Sequence, residues 1–279
     1  MKLGPLLLTV GMTVGVAMPV VAETPVDRGK YLVETIMGCG NCHTPQGPNG
    51  PDASKVLAGG FVIEDGPFRA VTSNITQDKA TGIGGWSDEE IAVAIREGIR
   101  PDGSLIGPPM PFGFYRSIGD EDLAAIVAYL RTVPAIENKV EKSRYDMPLP
   151  PAWGPMVESV KAPARGVTAE YGAYLAGPLG HCLECHTPML PTGQPDHAKL
   201  GWGGFPFNGP WGQSVSADLT PTALGDWSDA EIIAAITTGV SKDGRHLKPP
   251  MGFAYYAGMT PDDLAALVAY LRTLPPSNS

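Results

Sequence analysis

Cysteine is scarce in this sequence, with four residues in 279, and histidine is little commoner at five. Charge is also sparse, at 18% of residues, and positive charge more so, with 20 basic against 29 acidic side chains. Lysine and arginine are nowhere clustered, so the electrostatic footprint of a nucleic-acid-binding surface is missing. Beyond residue 22 there is no apolar run long enough to span a bilayer. Aromatics make up only 8%, whereas glycine (35) and proline (29) are abundant. A hydrophobic share of 43% still permits packed cores. The composition implies compact, loop-rich domains of the kind that need a cofactor or staple to complete a small core.

The first residues read MKLGPLLLTVGMTVGVAMPVVAETP, with Lys2 ahead of an uncharged stretch from Leu3 to Ala22. Val20 and Ala22 occupy the small-residue positions of a cleavage site before Glu23. Residues 1–22 are therefore expected to be a secretory signal peptide, the alternative being a retained N-terminal anchor. The mature chain is expected in the bacterial periplasm, with no transmembrane segment after cleavage, and peripheral membrane association stays compatible with this.

The rest of the chain is written twice. GGWSDEEIAVAIREGIRPDGSLIGPPMPFGFY at 84–115 returns as GDWSDAEIIAAITTGVSKDGRHLKPPMGFAYY at 225–256, and DLAAIVAYLRTVP at 122–134 returns as DLAALVAYLRTLP at 263–275. The offset there is 141; upstream it is 143, where GKYL and CGNCHTP return as GAYL and CLECHTP. Two homologous domains are expected, 23–134 and 167–279, joined by a proline-rich linker at 135–166. Trp153 and Met156 are its candidate anchors. Nine basic and fifteen acidic side chains give the first domain a net charge of −6; the linker carries +1 and the second domain −5.

Each repeat reads as short helices in a loop-rich, all-α fold. One helix leads into the cysteines (28–37 and about 169–177). A second starts at Ser87 or Ser228, each followed three residues later by a glutamate in capping-box spacing. The last places Leu123, Ile126, Val127 and Leu130 on one face, matched by Leu264, Leu267, Val268 and Leu271.

All four cysteines lie in two pairs, CGNCH at 39–43 and CLECH at 182–186. Structural disulfides suit an exported protein. A thioredoxin-like dithiol needs a strand–helix–strand context that is not evident here. Zinc could use both pairs as one four-thiolate site, but it would have to draw ligands from two separate repeats. None of the three explains His43 and His186. Covalent haem does: Cys39 with Cys42, and Cys182 with Cys185, can each bond the two vinyl groups of one porphyrin. The adjoining histidine then supplies the proximal imidazole. Two covalently bound haem c groups follow, with iron as the metal.

The opposite axial position decides between electron transfer and small-ligand chemistry. Only Met110 and Met251 occupy matching repeat positions, 67 and 65 residues beyond His43 and His186, each after a Pro-Pro pair. Both are expected to ligate iron through sulfur; the simpler reading is that methionine fills gaps in a core.

With CxxCH early, methionine late and a closing helix bearing an aromatic, each repeat resembles a class I cytochrome c domain. NITQDKATGIGGWSDEEI…DG…PPMPF is more closely similar to the cytochrome c subunits of membrane-associated alcohol, aldehyde and gluconate dehydrogenases. As a family those subunits usually carry three such domains. The resemblance covers both repeats and implies two tandem class I domains, each built around one covalent haem c. It also implies redox protein partners: a dehydrogenase donor and a cytochrome or oxidase acceptor.

Trp86 and Trp227 are candidates to point an indole N–H at a haem propionate, as a tryptophan does in many class I cytochromes; otherwise they fix the helix start. Tyr129 and Tyr270 are expected on the haem or the first helix, and Arg69 is a weaker propionate partner. His181, His197 and His246 are expected as solvated loop residues. Met37, Pro45, Leu179, Met189 and Leu190 are expected as apolar docking contacts at the haem edges. The expected function is single-electron transfer from a dehydrogenase to a downstream cytochrome or terminal oxidase, with no substrate chemistry of its own. A dihaem cytochrome c peroxidase is the alternative, and it would need a vacatable iron and a distal acid–base group.

Overall fold

The computed structural model of the chain describes residues 22–47, 50–190, 193–209 and 211–278. The expected signal peptide, except for its last residue, lies outside them. Among the described residues no helix is long and apolar enough to cross a membrane.

The first repeat opens with α1 (Pro25–Tyr31), which runs on as a π-helical turn over Leu32–Ile36. A single-turn α2 (Cys39–His43) and two paired dipeptides, β1 (Gln46–Gly47) and β2 (Gly50–Pro51), follow. A hairpin of β3 (Val62–Asp65) and β4 (Phe68–Val71) precedes α3 (Asp88–Glu97), α4 (Phe112–Tyr115) and α5 (Asp120–Leu130). The linker contributes β5 (Arg144–Tyr145). The second repeat has α6 (Ala169–Tyr174), extended by a π-helical turn over Leu175–Leu179, then α7 (Cys182–Cys185) and a 3₁₀ turn at His197–Lys199. The hairpin of β6 (Pro206–Gly209) and β7 (Gly212–Val215) leads to α8 (Pro221–Leu224), α9 (Asp229–Thr238), α10 (Phe253–Tyr256) and α11 (Pro261–Leu271).

The expectation of an all-α fold is therefore corrected. Each repeat carries a four-residue-per-strand antiparallel hairpin, and in the first repeat β5 adds to it as a third strand. These strands are short and lack a clean alternation of apolar residues, so periodicity could not reveal them.

Helix starts follow local chemistry. Ser87 accepts from the Glu90 backbone N–H while Glu90 reaches back to the Ser87 N–H, and Ser228 with Glu231 repeats the arrangement. Both helices stop at a left-handed glycine, Gly98 and Gly239. The first and last helices of each repeat cross at a glycine. A Cβ on Gly29 would overlap the Ala125 carbonyl, and one on Gly172 would overlap the Ala266 carbonyl. The tyrosine one turn beyond that alanine, Tyr129 or Tyr270, lays its Cβ at the same crossing. This settles both tyrosines against the first helix.

The two repeats are not independent bodies. One apolar core runs across them, joining Leu32, Ile36 and Met37 to Tyr171, Leu175, Leu179 and Leu267. Around it the polar contacts obey the internal two-fold. The Tyr31 hydroxyl donates to Asp263 at 2.6 Å, and the Tyr174 hydroxyl donates to Asp122 at 2.8 Å. The Thr260 N–H donates to Tyr31 at 3.1 Å, and the Gly119 N–H to Tyr174 at 2.9 Å. Near the axis Arg28 meets its own repeat partner, Tyr171, at 3.3 Å while holding Asp122 at 2.8 Å.

The linker lies along the first repeat. Asn138 donates to the Ala58 carbonyl at 2.8 Å, Tyr145 to the Pro108 carbonyl at 3.0 Å and Trp153 to the Ile106 carbonyl at 3.0 Å. Trp153 is thus an anchor as expected, whereas Met156 is 58% exposed and anchors nothing.

Candidate haem-binding sites

Each CxxCH motif sits on a single helical turn entered through a left-handed residue, Gly38 (φ 55°) before α2 and His181 (φ 39°) before α7. One turn of helix puts positions i and i+3 on one face, so each pair of sulfurs can address one flat partner. All four thiols are free, with no disulfide between them. Burial raises them, Cys39 and Cys185 to about 12 and Cys42 and Cys182 to about 11. Thiols held so far above neutrality are not the low-pKa nucleophiles of a thioredoxin-type dithiol. Among the described residues, no three His, Cys, Asp or Glu side chains gather as a metal cluster, so the pairs are not merged into a four-thiolate site.

The histidines are oriented alike. His43 Nδ1 lies 2.7 Å from the Ser73 carbonyl, and His186 Nδ1 lies 2.7 Å from the Ala217 carbonyl. A carbonyl only accepts, so Nδ1 carries the proton and Nε2 keeps its lone pair for a metal. Burial lowers the pKa of both rings, with the carbonyl bond pulling the other way, and this favours the neutral ligating form. The histidine carbonyls are used too, accepting from Gly59 at 2.7 Å and Gly203 at 2.8 Å.

Met110 and Met251 stand half-buried in the turn just before α4 and α10, and Met110 packs against the shared core. Both Pro-Pro bonds that precede them are cis. Each repeat supplies two thiols on one helical turn and an imidazole with Nε2 free. These groups fit the covalent attachment and proximal ligation of a c-type haem.

The remaining candidates divide. Trp86 and Trp227 are half-buried against the last helix, and their carbonyls accept from Arg131 (2.5 Å) and from Arg272. Arg69 is corrected: its guanidinium is committed to Glu64 at 2.9 Å and Glu141 at 2.7 Å. His181 is corrected as well, being no solvated loop residue. It stacks edge-on against Tyr115 of the other repeat and pairs with Glu184 at 3.2 Å. His197 and His246 are exposed. Met37 (5% exposed) and Leu179 (0%) are not surface contacts but part of the inter-repeat core, while Met189 and Leu190 are exposed. The faces beside the cysteines therefore look toward one another: Asn41 donates to the Pro250 carbonyl at 3.3 Å, and a Cβ on Gly40 would meet the Tyr255 hydroxyl.

Sequence reasoning missed the matched arginines Arg131 and Arg272, and the buried Thr44 and Thr187, whose hydroxyls accept from Leu57 (3.1 Å) and Gly201 (3.2 Å). Their equal places in the two repeats were the available signal.

Two copies of one haem-ready constellation in one chain define a c-type cytochrome with two centres. The cytochrome c family model matches residues 26–134 and again 169–275, and the chain belongs to that family. It consists of two tandem cytochrome c domains and carries two covalently bound haem c groups. It is 30% identical over 271 residues to the fructose dehydrogenase cytochrome subunit of Gluconobacter japonicus, covering 92% of this chain and 54% of that one. It is 31% identical over 258 residues to a diheme cytochrome c-type protein of Cereibacter sphaeroides, covering 85% and 82%. With the gluconate 2-dehydrogenase cytochrome c subunit of Pantoea cypripedii it shares 29% over 278 residues, 89% of this chain and 59% of that subunit. The chain thus spans little more than half the length of these two dehydrogenase cytochrome subunits.

Proposed function

We propose that this is a periplasmic dihaem cytochrome c. It passes single electrons from a dehydrogenase to a downstream cytochrome or terminal oxidase, either free-standing or as the dehydrogenase's electron-accepting subunit. The observation that carries the reading is the twofold occurrence of a CxxCH turn whose histidine has Nδ1 fixed on a backbone carbonyl and Nε2 free. Bound haem supplies the reversible one-electron couple. One group per repeat is assigned, within domains 23–134 and 167–279. Cys39 and Cys42, and Cys182 and Cys185, provide the thioether attachments. His43 and His186 give the proximal nitrogens, and Met110 and Met251 the distal sulfurs. Trp86 and Trp227 are assigned to the propionate edge. With His43 and Met110 in one repeat and His186 and Met251 in the other both holding iron, no position would be left for peroxide, which favours electron transfer. The dehydrogenase cytochrome subunits among the relatives support the same choice over a peroxidase.

Mass spectrometry of the exported protein is expected to show two haem additions that survive acid–acetone extraction, on a chain beginning at Glu23. The ferric protein should be low-spin, with a sulfur-to-iron band at the red end of the spectrum. Met110→Ala and Met251→Ala should each remove about half of that band and admit carbon monoxide to one haem. Stoichiometric carbon monoxide binding by the unmodified ferrous protein would overturn the assignment in favour of a peroxidase-like open site.

A further inference from the structure

The two methionine loops share one scaffold but are held by different parts of the chain. In each repeat the loop leaves a left-handed glycine and closes back on it. The Ile106 N–H donates to the Gly98 carbonyl at 2.7 Å, and Leu247 donates to Gly239 at 2.8 Å. The next equivalent acceptor is the carbonyl of the first proline, Pro108 or Pro249. In the second repeat Pro249 is bonded at 2.7 Å by Ser214, a residue of that repeat's own hairpin. In the first repeat Pro108 is bonded at 3.0 Å by Tyr145, a residue of the linker.

The linker's hold extends further along the same loop. Trp153 donates its indole N–H to the Ile106 carbonyl at 3.0 Å, four residues before Met110. Its ring stacks on Phe112, two residues after Met110, with centroids 5.6 Å apart and planes at 20°. Phe112 is consequently 2% exposed, whereas its counterpart Phe253 is only half-buried. The Tyr145 ring fills the space beside Gly107, where a Cβ would collide with it. Tyr145 is itself fixed by strand pairing with Phe68. Arg116 and the Val157 N–H meet on the Glu97 carboxylate, the latter at 2.9 Å, so the segment is tied beyond the loop as well.

We propose that the 135–166 segment braces the first distal ligand, with Tyr145 and Trp153 as the positioning residues that hold the Met110 loop against its iron. The proposal rests on the assignment of Met110 as that ligand. A thioether is a weak, soft donor, and a loop without secondary structure gains conformational entropy whenever it lets go. Ties on both sides of the methionine remove that freedom in advance, so the sulfur stays in place without each redox change having to reorder the loop. The second repeat achieves this from its own hairpin through Ser214, with Asn41 of the first repeat adding a bond to the Pro250 carbonyl at 3.3 Å; the first depends on the segment joining the repeats.

The test uses the full-length, haem-loaded protein bearing Met251→Ala, so that the remaining sulfur-to-iron band reports Met110 alone. Trp153→Ala, Trp153→Phe and Tyr145→Phe are added singly, and the band and far-UV circular dichroism are followed through a guanidinium titration. The expected result is a band lost well before the helical signal. With Met251 restored, carbon monoxide should bind one ferrous haem on the order of tenfold faster, the scale of one lost hydrogen bond plus one lost ring stack. Should Trp153→Ala fail to fold, Trp153→Phe and Tyr145→Phe, which keep a ring in place and remove only the hydrogen bond, decide the matter. If the Met251→Ala parent has no band, the ligand assignment falls and the brace with it. If the parent has the band and every added variant keeps its midpoint, only the brace is overturned.

Discussion

Asp122 accepts from Arg28 of its own repeat and from Tyr174 of the other, and the Arg28 and Asp122 side chains are only 6% and 7% exposed. Desolvation is the largest single influence and works against the Arg28 charge, but the hydrogen bond and charge of Asp122 together with Tyr171 outweigh it, so the guanidinium is held above its ordinary pKa. Asp122→Ala would leave that charge buried without a counter-ion. A loss of about 3–5 kcal/mol in unfolding free energy is expected, measured by guanidinium denaturation. Exposed carboxylates act in the opposite sense to burial. Asp78 is held below the usual range by the Thr81 hydroxyl and by the N–H groups of Thr81 and Ala80; Glu231 by Ser228; and Asp120 by Ser159 and Arg96. A carboxyl group depressed in the folded state adds stability above its unfolded pKa of about 4, and that stability is lost as pH falls through the folded value. The melting temperature should therefore be flat near neutrality and fall below about pH 4. Asp78→Asn should make that fall shallower in scanning calorimetry.

Among the elements, the glycine crossings carry the clearest expectation. Gly29→Ala would gain up to about 1 kcal/mol of helix propensity. It would also drive a methyl into the Ala125 carbonyl, where forced overpacking costs typically about 1–3 kcal/mol. The clash should win, and thermal unfolding should show a net loss of stability; an unchanged or raised melting temperature would mean that the helices can separate freely. The elements also show what could be read in advance. The capping boxes at Ser87 and Ser228, the apolar faces of α5 and α11 and the matched CxxCH and Pro-Pro-Met positions were legible, because each is fixed by neighbours within a few residues or by the repeat itself. The hairpins were not, since Phe68–Val71 owes its pairing to Val62–Asp65 on one side and to the distant Arg144–Tyr145 on the other. The burial of Met37 and Leu179 was equally hidden, because it is caused by the opposite repeat rather than by any local pattern.

At the scale of the molecule, the two repeats are expected to unfold together, because the larger of their core clusters spans both. The shared core and the mirrored Tyr31–Asp263 and Tyr174–Asp122 bonds cross the seam together. Calorimetry of the unmodified protein should show a single endotherm. Each of Tyr31→Phe and Tyr174→Phe removes a hydrogen bond worth about 1 kcal/mol net and leaves a carboxylate short of a donor. The double variant should broaden or split the endotherm while the number of attached haems stays at two. The seam also bears on assembly. The CGNCH turn rests against Tyr255, and Tyr115 covers His181 at the edge of the CLECH turn. All four cysteines keep part of their surface in the closed arrangement, but one side of each motif is taken by the opposite repeat. Porphyrin attachment is therefore expected to run faster on a chain whose halves have not yet met than on one that has already closed.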